Sequence, residues 1–317
     1  MDFSLLLENL RNPALLFFIL GIFAVRLKSD LEIPQNSSKF ISLYLLFSIG
    51  FKGGQELAHS SWNTEILWAM CIGLAAASII PFYTFFLLKR KFNIYDSAAI
   101  AAAYGSVSAV TFVTGISFLE MQSAHMDGHM IAVMAMMEAP AIIIGVLLLN
   151  ACSKEKNVAI PSIVKHSFSN GSVLLIIGSL IIGFISSDKL ANEIKPFTTD
   201  IFKGFLAIFL LDMGIVSGRK LNDFLKQGFF NVAFGIIIPL INGIAVAFIS
   251  KQFISSDANC FILAVLAASA SYIAVPAAMR IVAPKANPGI FLPMALAVTF
   301  PFNITIGMPI YYLIVQL

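Results

Sequence analysis

The amino-acid sequence predicts an all-α integral membrane protein. It predicts ten transmembrane helices as two inverted five-helix repeats, with helices 4 and 9 broken at the bilayer midplane. Three observations carry this expectation. The 317 residues are 59% hydrophobic and 12% charged, with a mean hydropathy of +0.90, whereas soluble domains carry about 25% charged residues. Ten apolar runs follow one another along the chain, and the second five echo the first at a nearly constant offset. The same composition excludes disorder, a collagen-like rod and a disulfide scaffold.

The runs fall at 13–27, 38–51, 65–88, 97–119, 129–150, 171–186, 200–217, 228–250, 258–281 and 289–315. A spanning helix needs about 20 residues, so the third, fifth, eighth and tenth runs qualify on length. The first, second, sixth and seventh are short, and the repeat supports them. SIGFKGGQEL (48–57) returns as DMGIVSGRKL (212–221), so that Gly50, Gly54 and Leu57 match Gly214, Gly218 and Leu221, each 164 residues on. Ser106 and Ser108 in the fourth run match Ser269 and Ser271 in the ninth. Pro140 and Gly145 in the fifth have counterparts in Pro301 and Gly307 of the tenth. A segment clear in one copy supports its weaker counterpart in the other. The halves are residues 1–151 and 171–317, and 152–170 reads as a polar cytoplasmic linker.

Five spans per half is odd, so the second copy enters the membrane from the opposite side, as in secondary transporters. Fourteen of the 20 basic residues fall on one side, from Arg26 and Lys28 to Arg280 and Lys285. Arg11, Lys52, Lys189, Lys195, Lys203 and Lys251 fall on the other. The positive-inside rule then places both termini outside a bacterial inner membrane. The N-terminal MDFSLLLENLRNPALL has neither a basic n-region nor a small-residue cleavage site, so it is not expected to be a secretory signal. The net charge of +3 is scattered between apolar runs and gives no nucleic-acid patch. Cys71, Cys152 and Cys260 read as small buried hydrophobes rather than a disulfide or metal framework.

The fourth and ninth spans hold the clearest chemistry. Gly105, Ser106, Ser108 and Thr111 sit mid-span, where glycine and hydroxyl side chains weaken or compete with helical bonding. Ser269 and Ser271 do the same in the ninth, followed by Pro276, which has no N–H to donate. Matching interruptions in two inverted repeats point to a midplane binding site. A half-helix N-terminus suits a small anion, and released carbonyls suit Na⁺. Close helix packing at small residues is the competing reading.

Two carboxylates lie inside apolar runs, each at a cost of at least about 2.5 kcal/mol at the bilayer centre. Glu138 is expected to couple a cation or proton, with Ser108, Thr111 and Asn303 completing the ion set. Asp212 reads either as a gate residue or as a paired carboxylate near a span end. Asp96 and Asp257 read as helix N-terminal charges. Lys52 stands at the outer end of span two, as an entrance charge or a snorkelling anchor. His125 and His129 flank Asp127 at a spacing that could hold a metal, but the intervening Asp-Gly reads as a turn. Trp62, Trp68, Tyr311 and Tyr312 suit interfacial belts. No GxSxG, Walker A, HExxH or paired CxxC occurs, so neither an enzyme nor a cofactor is expected; Na⁺ is the coupling ion.

With these residues in view, the chain resembles the bacterial sodium-dependent bicarbonate transporter family, best known from cyanobacteria. IGFKGG (49–54), GSVSAVTF (105–112), EAPA (138–141), LAVLAASAS (263–271) and ANPG (286–289) carry the likeness in order along nearly the whole chain. The resemblance implies Na⁺-coupled bicarbonate uptake by a homotrimer with external termini. It implies a gate of spans 1, 2, 6 and 7 moving against a core of spans 3–5 and 8–10. Ser106, Ser108, Thr111, Ser269 and Ser271 would line the site, and a PII-like protein would regulate through the linker. The chain departs from the family in its second broken span, where Ser269-Ala270-Ser271-Tyr272 replaces Ser-Ser-Ser-Asp. Tyr272 thus enters the substrate set with a hydroxyl where a Na⁺ ligand is usual. A carrier for another small anion, such as a monocarboxylate, coupled to Na⁺ or H⁺ through Glu138, is the nearest rival. A non-transporting membrane sensor or scaffold is the rival of a different class.

Overall fold

The starts of several helices are fixed by short polar side chains that take up otherwise unpaired N–H groups. Asn63 accepts from the N–H of Ile66, Asn93 from Tyr95 and Asp96, and Ser256 from Asn259. The structure, a computed structural model, describes residues 9, 11–60, 63–153, 171–225, 228–272 and 274–317. Most of the predicted linker lies outside the described residues, as do Trp62, His166 and Lys226. Among the described residues the chain is helical and contains no strand.

The first half runs α1 (Pro13–Arg26), α2 (Gln35–His59), α3 (Thr64–Leu88), α4 (Ile94–Gly105), α5 (Ala109–Met121) and α6 (His129–Cys152). The second runs α7 (Gly171–Ile185), α8 (Asp188–Lys195), α9 (Phe202–Leu225), α10 (Phe229–Lys251), α11 (Asp257–Ala267), α12 (Ala274–Val282) and α13 (Pro288–Val315). A π-helical turn, Pro196–Asp200, joins α8 to α9. Among the described residues six stretches are long and apolar enough to cross a membrane: Thr64–Leu88, Ile94–Met121, His129–Cys152, Asp188–Leu221, Phe229–Lys251 and Pro288–Val315. The chain is a multi-pass integral membrane protein. Its centre is α4 and α11, in which every residue from Asp96 to Gly105 and from Ala258 to Ala267 is buried. Helices that are apolar all round belong in such a position.

The repeated glycines are packing positions. A Cβ on Gly214 would lie 2.1 Å from the Phe18 carbonyl oxygen, and one on Gly54 would lie 2.1 Å from that of Leu180. Gly50 lies against Ile176 and Ser179, and Gly218 against Ile22 and Val25. So α2 closes on α7 and α9 closes on α1, each along a seam without side chains. The loops follow the same exchange. The Asn287 N–H donates to Asp96 Oδ1 at 2.6 Å, and the Asp127 N–H donates to Asn259 Oδ1 at 2.9 Å. Each loop is thereby tied to the start of a central helix from the other half.

The structure corrects three expectations. Tyr311 and Tyr312, read as interfacial, are buried, and the Tyr311 hydroxyl donates to Asn303 Oδ1 at 3.0 Å. The second run was bounded at 51, yet α2 continues to His59. Its polar end is satisfied rather than solvated: Gln55 donates to the carbonyls of Gly183 and Ser186. Cys71, expected to be buried, is exposed on α3, on a helix whose outer face also exposes Leu67, Trp68, Ile79 and Phe82. A wholly apolar helix at a bilayer boundary has no polar face to mark which side is buried.

Gly214→Leu is expected to lower the melting temperature in detergent by several degrees, since overpacking costs about 1–3 kcal/mol. Gly178→Ala, where a Cβ meets nothing within 4 Å, should leave it unchanged.

Candidate functional site

Helix α4 ends at Gly105, where a Cβ would lie 2.4 Å from Cδ of Pro81 in α3, and Ser106 then turns to extended backbone. Helix α5 then restarts at Ala109, with the Ser108 hydroxyl accepting the N–H of Thr111 at 3.2 Å. In the second half, α11 ends at Ala267 and α12 begins at Ala274. The two breaks meet. The Ser108 N–H donates to Ser269 Oγ at 2.9 Å, and the Ser271 N–H donates to the Ala103 carbonyl at 2.8 Å. Ser269 Oγ itself donates to the Leu266 carbonyl at 2.8 Å. Backbone groups freed in one broken helix are thus taken up by the other.

A small cavity of about 20 Å³ lies at this crossing, lined by Leu46, Val107, Ser108, Ala109, Glu138, Ser172, Ser271 and Tyr272. A space of this size admits about one water-sized group. Ala109 and Val110 are the first residues of α5, and the Ser108 cap serves Thr111 rather than them. The positive end of the α5 dipole therefore faces the cavity through Ala109. Glu138, from α6, has Oε2 buried without a hydrogen-bond partner. The Tyr272 hydroxyl interacts with Ser108 and lies 3.9 Å from Met213 Sδ on α9. Hydroxyls, a helix N-terminus and an unpaired carboxylate thus meet where the two breaks cross.

The other predicted residues have definite places. Ser106 and Thr111 are each 1% exposed beside the crossing, and Ser106 Oγ has no hydrogen-bond partner. Asn303 braces the second break: its amide donates to the Ala268 carbonyl at 2.6 Å and accepts from the Tyr311 hydroxyl at 3.0 Å. Asp212 is buried on α9 and accepts from the Ser38 hydroxyl of α2. Lys52 lies in a separate outer cavity with Glu120 and Lys203. In the HMDGH stretch, Asp127 is held by Asn259 at 2.7 Å, and His129 Nδ1 stands 3.9 Å from it. Among the described residues no three His, Cys, Asp or Glu side chains form a metal-binding group. Leu46 and Ser172 line the crossing without any signal in sequence: each is an ordinary residue of a helix whose neighbour is set by tertiary packing.

Ser269→Ala leaves the buried Ser108 N–H without an acceptor. A loss of about 1–3 kcal/mol is expected, readable as a lower midpoint in thermal unfolding of the detergent-solubilised protein.

A family model described as the Na⁺-dependent bicarbonate transporter superfamily matches residues 13–316, nearly the whole chain. No curated protein matches the chain.

Proposed function

The chain belongs to the Na⁺-dependent bicarbonate transporter superfamily, and from that premise we propose that it is a secondary transporter importing bicarbonate with Na⁺ by alternating access. The observation that carries the reading is the crossing of the two broken helices, where Ser108, Ser271, Tyr272 and Glu138 line one cavity. It is a transporter and not an enzyme by family.

The mechanism follows from charge and confinement. Importing a monoanion against an inside-negative potential costs about 2.3 kcal/mol per 100 mV, and one co-transported Na⁺ offsets that electrical work. The α5 N-terminus and the hydroxyls of Ser108 and Ser271 would hold the anion. Glu138, ionised in so small a space, would repel it unless a cation screens the two. Occupancy by Na⁺ and anion together is therefore favoured over either alone, which is what coupling requires. The matching breaks, the 164-residue offset and the exchanged packing of α2 on α7 and α9 on α1 support two inverted repeats of five spans. In that reading α1, α2 and α7–α9 form the gate, and the remaining helices form the core that moves against it.

The test is uptake of labelled bicarbonate into proteoliposomes with and without an inward Na⁺ gradient. Ser108→Ala and Ser271→Ala are each expected to reduce uptake about tenfold, the loss of one hydrogen bond to a charged ligand. Glu138→Gln should leave residual uptake that no longer responds to Na⁺. Uptake by the native protein that ignores the Na⁺ gradient would overturn the coupled reading.

A further inference from the structure

A larger cavity of about 220 Å³ lies beside the crossing, and its walls carry paired charges. Helix α2 contributes Ser48, Lys52 and Glu56, the end of α5 contributes Glu120, and the stretch entering α9 contributes Thr199 and Lys203. The two cavities stack along shared helices. On α2 the inner one touches Leu46 and the outer one Ser48; on α5 they touch Ala109 and Ile116. Seven helical residues rise about 10 Å, so a ligand in the outer cavity stands two turns from the crossing.

Glu120 is shared between two lysines. Its Oε2 lies 3.0 Å from Lys203 Nζ and its Oε1 lies 3.8 Å from Lys52 Nζ. Only the first is a hydrogen-bonding distance, so the Lys52 ammonium is not bonded to the carboxylate it faces. One turn along the same face of α2, Ser48 is 1% exposed and its Oγ has no hydrogen-bond partner. The Lys52 side chain is 44% exposed and its ammonium reaches solvent, while the buried Ser48 hydroxyl beside it is left to bond a ligand in the cavity.

We propose that this cavity is an outer loading subsite for a small monovalent oxyanion, held by Lys52, Lys203 and Ser48 before it reaches the crossing. The inference rests on the transport reading above. The two lysines balance Glu56 and Glu120, so the anion is not drawn into a net positive well. It binds by displacing Glu120 from its lysines, and Glu120 returns when the anion moves on. Such a site is shallow, as a site that hands its ligand inward must be.

The experiment uses Thr199→Cys as a reporter, with Cys71, Cys152 and Cys260 replaced by Ala. Its modification by a membrane-impermeant thiol reagent is followed with bicarbonate, formate or nitrate present. With Ser108→Ala and Ser271→Ala added to disable the crossing, the anion is still expected to slow modification. Adding Lys52→Ala and Lys203→Ala should abolish that protection. In uptake, the two lysine substitutions should raise KM about tenfold with kcat nearly unchanged, and Glu120→Gln should lower KM. If no anion protects Cys at 199, or KM is unchanged without both lysines, the subsite is overturned. Protection by another monoanion in a protein that carries no bicarbonate would overturn the transport reading and leave the subsite standing.

Discussion

The structure depends on one constraint: within hydrocarbon, no backbone N–H or carbonyl is left without a partner except at a cost of several kcal/mol. A helix that breaks in mid-membrane exposes several such groups at once. Here the remedy is reciprocal. Ser108 donates its N–H to Ser269, and Ser271 donates its N–H to Ala103, so each break is satisfied only in the presence of the other. Both helices are therefore buried at the centre of the protein, and Asn303 takes up a further carbonyl at Ala268. The candidate site and the condition for folding rest on the same set of hydrogen bonds.

That arrangement constrains what surrounds it. Because the central helices are held together, the helices that flank them must find partners in each other, and the glycine seams provide the contact. Gly54 with α7 and Gly214 with α1 bring backbones together without interdigitating side chains. Such seams need no polar group in the hydrocarbon, and in membranes close van der Waals approach replaces the hydrophobic drive that packs helices in water. Polar contacts from the flanking helices to the rest of the protein include the Ser217 hydroxyl on the Leu296 carbonyl at 2.7 Å and Lys203 on Glu120 at 3.0 Å.

The broken helices were legible because their cause is local. Gly105, the paired serines and Pro276 each disfavour a continuous helix where they stand, and the offset repeat doubles the signal. The six long apolar stretches were legible for the same reason. What could not be read was anything set by a neighbour distant in sequence. The polar end of α2 looked like the end of a helix because Gln55, which binds α7 carbonyls, has no partner visible in sequence. Ser38, the partner of Asp212, is 174 residues away from it. Asn303, expected among the ion ligands, also has partners within the protein: its amide donates to the Ala268 carbonyl and accepts from Tyr311.

The two halves share a frame but not their chemistry, and the differences fall at the site. Applying the offset of 161 that relates Pro140 to Pro301, Glu138 corresponds to Thr299. The Thr299 hydroxyl donates to the Gly235 carbonyl and accepts from Tyr104, both at 2.7 Å, so its one proton is not free for an anion. At the serine offset of 163, Tyr272 corresponds to Ala109. A symmetric site would place either two carboxylates or none at the crossing. Two fixed carboxylates around a 20 Å³ cavity would repel a monoanion doubly, and none would give a cation nothing to neutralise. One carboxylate, with tyrosine and serine hydroxyls opposite, offers a cation one fixed partner and leaves uncharged donors for an anion. Symmetry supplies the two-sided frame that alternating access requires, and the loss of symmetry at Glu138 and Tyr272 sets the charge that the proposed transport cycle can carry.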